Sequence, residues 1–321
     1  MTIFSFWILA GLYLDGWAHR HLHDLDTFFT PWHAVLYSGF FAAVGFLGFI
    51  LLRSRSPGVP WRRKLPAGYR LSIIGVLVFF GGGIGDLIWH TVFGIEADLD
   101  ALLSPTHLIL AIGGVPIGAA PFRAAWQRSD GEAPHRLVDL LPMLFSLAFV
   151  WSVLTFFTQF AHSFVHPWAA GPAPQAAFFK QSLELAGILL QTGIMMGLVL
   201  LAVWRWVLPF GSLALIFTIN ALLMSLLEAH YAFVAVGLLA GFGGDLLVRG
   251  LKPSRIRPVR FRLFAALVPV LFYALYFLAL GLSVGIWWSV HMWTGAIVLA
   301  GIAGWLLSYL ILPHEPTHSP A

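Results

Sequence analysis

Cysteine is absent from the 321 residues. No disulfide can staple this chain and no thiolate can hold a metal, so cysteine usage says nothing about its redox compartment. Charge is scarce as well. Asp, Glu, Lys and Arg make up 10% of the sequence, against about 25% in a soluble globular domain, and a water-facing surface cannot be assembled from so little. The N-terminal stretch up to Leu14 lacks a basic leader and a small-x-small cleavage site, so a retained helix is expected there and not a secretory signal. No haem or flavin motif is visible.

What is abundant is apolar: 59% of residues, in blocks of about 20, the length that crosses a bilayer core as a helix. The expected fold is all-α, a polytopic bundle of about ten transmembrane helices. The segments run approximately over 2–18, 32–53, 70–90, 105–123, 138–161, 181–204, 211–229, 232–248, 263–288 and 292–312. Lys and Arg collect in alternate connections, as cytoplasmic loops require. Six fall between Arg53 and Arg70, three between Arg123 and Arg136, then Arg205, then six between Arg249 and Arg262. Only Arg20 and Lys180 fall on the other side, so 16 of the 18 obey one topology. That topology is a multi-pass protein of the cell inner (plasma) membrane with both termini cytoplasmic. The net charge of +4 follows this membrane rule, and no nucleic-acid partner is expected.

Histidine shows the opposite bias. Ten of 13 (His19, His21, His23, His33, His90, His107, His162, His166, His230, His291) fall at extracytoplasmic helix ends. Lipid physics asks for Trp and Tyr at interfaces, not for histidine, which places the function on the outer face.

Residues 15–33 read DGWAHRHLHDLDTFFTPWH and residues 86–107 read DLIWHTVFGIEADLDALLSPTH. Each opens with Asp-x-x-x-His (Asp15 and His19, Asp86 and His90) and closes with Pro-x-His (Pro31 and His33, Pro105 and His107). This spacing predicts a duplicated helical hairpin, repeat 1 over about 1–54 and repeat 2 over about 70–125. The two repeats make up an N-terminal region over residues 1–125, and six further transmembrane helices follow over 137–321. Asp and His four apart share a helix face. Thr30-Pro31 and Ser104-Pro105 read as an N-cap followed by an N1 proline, so the closing histidine sits in the first turn of the next helix, facing the end of the one before. Each repeat thus converges a carboxylate and two imidazoles, a metal-ligand set at the extracytoplasmic face. An interfacial polar residue is the ordinary reading of any one of these histidines, but two matched sets ask for more, since ionisable groups in membrane helices are costly. Copper, zinc and iron all suit such a set.

These stretches resemble the membrane-embedded C chain of the copper membrane monooxygenases, the particulate methane and ammonia monooxygenases. The resemblance rests on Asp15, His19 and DTFFTPWH ending at His33, then on Asp86, His90-Thr91, Glu96 and Pro105-x-His107. It covers about residues 10–125. The spacing departs by one extra residue in the first set and three in the second, and Asp86 stands where the family has Asn. The resemblance implies two copper sites completed by His33 and His107. It also implies partner subunits, among them one with a soluble copper domain, and electrons from such a partner or a quinol. An oxygen-activating oxidase component and a copper-holding relative without turnover both fit it. A metal transport or copper-homeostasis protein and a bis-His haem protein stand as alternatives. A homo-oligomer is compatible with all of these.

His162, His166, Glu184, Glu228, His230 and His291 are expected on the same side, as a third site, a vestibule, or interfacial anchors beside Trp168, Trp287, Trp288 and Trp293. His21 and His23 are expected to be solvated or to relay metal. Asp24, Asp26, Asp98 and Asp100 read as solvated acids that concentrate cations. The run GGGIG at 81–85 reads as a close helix contact.

Overall fold

The computed structural model describes residues 1–22, 27–53, 65–96, 98–129 and 133–313. It is 78% helix, with no strands among the described residues. Among the described residues, seven helices have the length and apolarity to cross a membrane. An eighth arises if the bent pair Pro105–Gly118 and Ala120–Trp126 counts as one span.

In chain order the helices are α1 Thr2–His21, α2 Pro31–Arg53, α3 Arg70–Phe93, α4 Asp98–Leu103, α5 Pro105–Gly118, α6 Ala120–Trp126, α7 Leu137–Phe157, α8 Ala177–Arg205, α9 Ser212–Leu226, α10 Ala232–Leu251, α11 Pro258–Ser283 and α12 Val290–Ile311. Three of the expected ten segments fall outside the seven-helix set for visible reasons. Helix α1 carries Asp15, His19, Arg20 and His21 in its last turns, and α9 has only 15 residues. The expected span 105–123 is broken by 43° between α5 and α6. Pro116 lies inside α5, where a proline cannot donate its helical hydrogen bond and crowds the preceding turn. The Pro116 carbonyl is held by Ser72 Oγ at 3.0 Å and Arg123 Nη2 at 2.7 Å.

Large apolar side chains such as Phe41, Leu52, Leu77, Ile88 and Val92 point outward, as helices that face lipid require. Inside, small residues let backbones meet. A Cβ on Gly11 would lie 2.4 Å from Leu36 Cα, and one on Gly113 would lie 2.4 Å from the Phe79 nitrogen. The first contact sets the α1–α2 crossing and the second the α3–α5 crossing.

The helices form two compact units, Met1–Gly131 with Val138–Phe157, and Glu132–Leu137 with Thr158–Ala321. Nearly all of α7, the first of the helices after residue 137, belongs to the first unit. Tyr13 donates to the Ser152 carbonyl at 2.9 Å, Phe6 meets Phe145 edge-on at 5.2 Å, and Ser146 Oγ donates to the Gly118 carbonyl at 2.7 Å.

Candidate metal centre

Four helix ends of the first unit meet at one place. Helix α1 ends with Asp15 and His19, α3 ends with Asp86 and His90, α2 begins near His33, and α5 begins near His107. Both starting helices are capped as the Thr-Pro and Ser-Pro pairs imply. Thr30 Oγ1 accepts from the His33 N–H at 3.1 Å, and Ser104 Oγ accepts from the His107 N–H at 3.4 Å. The cap sets the first turn, and the first turn aims the histidine.

All six residues come together. His33 Nε2 lies 3.4 Å from Asp15 Oδ1, and His19 Nε2 lies 3.8 Å from Asp15 Oδ2. Asp86 Oδ1 lies 3.4 Å from His90 Nε2 and 3.1 Å from His107 Nε2. The two sets are not separate. The ring centroid of His33 is 5.8 Å from that of His90, and His19 is 6.0 Å from both His90 and His107. Two groups have ligand atoms mutually within 4.8 Å, Asp15/His19/His33 and His33/Asp86/His90/His107, and His33 belongs to both. Asp86 is fully buried, and His33 is 3% exposed.

The second ring nitrogens show how the imidazoles are held. Nδ1 of His19 bonds the Glu96 carbonyl at 3.0 Å, Nδ1 of His33 the Phe28 carbonyl at 2.6 Å, Nδ1 of His90 the Gly94 carbonyl at 3.3 Å, and Nδ1 of His107 the Ala101 carbonyl. A carbonyl oxygen only accepts, so Nδ1 carries a hydrogen in every ring, and Nε2 is the nitrogen left to face the carboxylates or a metal. The Nε2 atoms of His33, His90 and His107 are buried with no hydrogen-bond partner. A carbonyl-held Nδ1 with a free Nε2 is the arrangement that orients metal-ligating histidines.

Three further side chains touch the cluster. Tyr37 donates to Asp86 Oδ2 at 3.2 Å and Thr106 Oγ1 to Asp86 Oδ1 at 3.0 Å, which fixes the carboxylate against both imidazoles. Sequence reasoning missed both, although Thr106 stands inside the second Pro-x-His and Tyr37 one turn after His33. Glu96 Oε2 lies 3.2 Å from His90 Nδ1, and its other oxygen accepts from Trp89 Nε1. A cavity of about 480 Å³ opens beside it, between Trp89, Phe93, Leu99 and Ser104.

The remaining histidines behave differently. His21 is exposed and stacks on Trp17 at 5.0 Å. His23, Asp24 and Asp26 lie outside the described residues. Asp98 and Asp100 are exposed on α4. In the second unit His166 stacks on Trp168 at 5.1 Å, His230 Nδ1 bonds the Phe164 carbonyl at 2.8 Å, and His291 is exposed. Among the described residues, none of these joins a group able to hold a metal. His162 is buried in the loop after α7, and its Nδ1 accepts the Phe164 N–H at 3.1 Å. Burial, helped by the charge of His166, pushes its imidazole down to about 3, so it stays neutral.

Comparison with protein-family models, with curated proteins and with solved structures finds no match to this chain.

Proposed function

We propose that this is a multi-pass membrane protein whose helix-end cluster is a transition-metal centre, of the copper kind that the resemblance to the copper membrane monooxygenases implies. The observation that carries this reading is the set of four imidazoles held by backbone carbonyls at Nδ1, with Nε2 directed at Asp15 and Asp86. Buried polar groups without partners are rare, and three such nitrogens against two carboxylates match what a cation supplies. Zinc and iron accept the same ligands. A redox metal with an open position here would meet oxygen or a small substrate through the cavity beside Glu96. The chain then serves as the metal-bearing component of an oxidase complex that takes electrons from a partner subunit or a quinol.

Within this reading, α1 and α9 add to the eight candidate spans to make ten crossings. The basic loops lie in the cytoplasm, the cluster lies at the outer face of the inner membrane, and the two Asp/His/His hairpins descend from one duplicated unit. The haem alternative is disfavoured by the carboxylates, since Asp15 and Asp86 stand 3.1–3.4 Å from the Nε2 atoms of His33, His90 and His107, where a haem iron would have to sit. The transport alternative asks for ligands near the bilayer midplane, whereas these sit at helix ends.

Metal analysis and electron paramagnetic resonance of the purified protein test the proposal. Copper bound by the native chain should be lost in His33→Ala and in the double variant Asp15→Ala/Asp86→Ala. Unchanged metal content in both variants would refute it.

A further inference from the structure

Eleven buried side-chain nitrogen and oxygen atoms have no hydrogen-bond partner among the described residues. Four of them belong to the metal centre: Nε2 of His33, His90 and His107, and Oε2 of Glu96. Four others gather in the second unit, which nothing so far gives a role. They are Ser163 Oγ, Trp168 Nε1, Glu184 Oε2 and Trp288 Nε1.

The chain brings these four to one end of the second unit. An antiparallel bridge pairs Ala170 with Ile286, which sets Trp168 opposite Trp288. Trp287 locks the ribbon, its N–H donating to the Ala169 carbonyl at 3.2 Å and its Nε1 to the Trp168 carbonyl at 2.6 Å. The Ala169 N–H faces the Glu184 carboxyl. On the other side Tyr276 donates to Glu184 Oε1 at 2.6 Å, and the Ser163 hydroxyl faces the same phenol. Trp288 packs against Phe277, the next residue of α11, with ring centroids 5.8 Å apart. Ser163 and Trp288 are each 4% exposed, and Glu184 is 2% exposed.

The chemistry of the unpartnered atoms limits what fits between them. Two indole N–H groups repel a metal ion, and among the described residues no histidine of this unit joins a group able to hold one. The lone pairs of the free carboxyl oxygen disfavour a purely anionic ligand. Water, which donates and accepts and is held in interiors by two to four polar partners, satisfies all four. Among the described residues no cation pairs with the carboxyl either. Lys180, one turn earlier on α8, lies over the Trp168 ring at 5.0 Å. The segment between α7 and α8 brings His162 and His166, α11 brings Tyr273 and Tyr276, and α12 carries His291 and Tyr309 at its two ends. A carboxylate without a counter-charge is too costly to keep ionised in such surroundings.

We propose that Ser163, Trp168, Glu184, Tyr276 and Trp288 enclose ordered water and form, around the Glu184 carboxyl, an internal proton-holding site distinct from the metal cluster. The exchange is simple: the carboxyl O–H bond breaks as its proton joins a water lone pair, and the reverse step restores it. Tyr276 holds Oε1, which leaves Oε2 to face the water.

Infrared difference spectroscopy of the full-length protein, native against Glu184→Gln, tests the site. The expected result is a protonated-carboxyl C=O band that Glu184→Gln abolishes, that shifts in heavy water, and that moves in Tyr276→Phe. Metal content should be the same in all three proteins, which separates this site from the cluster. Absence of any such band would show an ionised Glu184 and overturn the proposal. So would a band insensitive to heavy water, which would mean a dry, sealed carboxyl. A band removed by adding sodium or potassium salt would make the site a cation site and equally overturn it.

Discussion

If the cluster holds metal, its charge balance decides how many ions it keeps. Asp15 and Asp86 supply two negative charges at the imidazoles, and Glu96 stands one contact further out. The ligand atoms of each group lie within 4.8 Å of one another, and His33 serves both groups, so two ions would share a small volume. At a spacing of about 5 Å and an effective dielectric of about 20, two monovalent cations repel by about 3 kcal/mol and two divalent cations by about 13 kcal/mol. The difference of about 10 kcal/mol is worth about seven orders of magnitude in affinity for the second ion. Two cuprous ions neutralise the two aspartates, and so does a single cupric ion. Anaerobic loading with copper(I) should therefore give about two firmly held equivalents per chain, and aerobic loading with copper(II) about one, with any second ion removed by a weak chelator. Two copper(II) ions retained as firmly as two copper(I) ions, with no bridging anion present, would refute the charge argument.

Loss of the partners that hold Asp86 should weaken the cluster without dismantling it. Thr106→Val and Tyr37→Phe each remove one hydrogen bond to that carboxylate and should cost about 10-fold in metal affinity, measured by competition with a chelator of known strength. Topology is open to direct labelling, since the chain has no cysteine: a cysteine at exposed Asp98 should react with an impermeant thiol reagent from outside intact cells, and reaction only from the cytoplasmic side would overturn the basic-loop argument. His162 should make the second unit acid-sensitive. The unfolded chain takes up a proton near 6.5, which the buried imidazole refuses until about 3, so stability is full above 6.5 and falls as pH drops below it. Between pH 7.5 and 5 the loss should be about 2 kcal/mol, read from denaturant unfolding of the solubilised protein, and His162→Asn should flatten the profile.

Much of the cluster was legible in the sequence because it is built from local signals. An Asp-x-x-x-His on one helix face and a Thr-Pro or Ser-Pro cap three residues before a histidine are short-range patterns, and capping physics turns them into geometry. That the two sets share His33 was not legible, because it depends on how the α1–α2 and α3–α5 pairs approach each other. That approach is set by contacts between the pairs such as Phe40 against Phe79, whose rings stack at 4.5 Å although the residues are 39 positions apart. Tyr37 and Thr106 were missed because neither residue type marks a site until its neighbour is known. The neighbours of α7 were not legible, because a uniformly apolar helix carries no periodicity to say which neighbours it prefers. Ring contacts from Phe145 and Phe156 decide it. The count of spans was least secure where helices are polar-ended, as in α1, or short, as in α9.

The carbonyl groups that steer the four imidazoles belong to Phe28, Gly94, Glu96 and Ala101, three in the connections between helices and one in the short helix α4. Aim therefore comes from main-chain atoms that every residue type possesses. The side chains of these connections are free to drift through many substitutions while the path of the chain is not, since a shifted carbonyl would turn a ring. Glu96 tightens the restriction, because its main chain serves His19 of one hairpin while its side chain reaches His90 of the other. Neither hairpin can settle into final shape alone, and an inserted residue near Glu96 would disturb both at once.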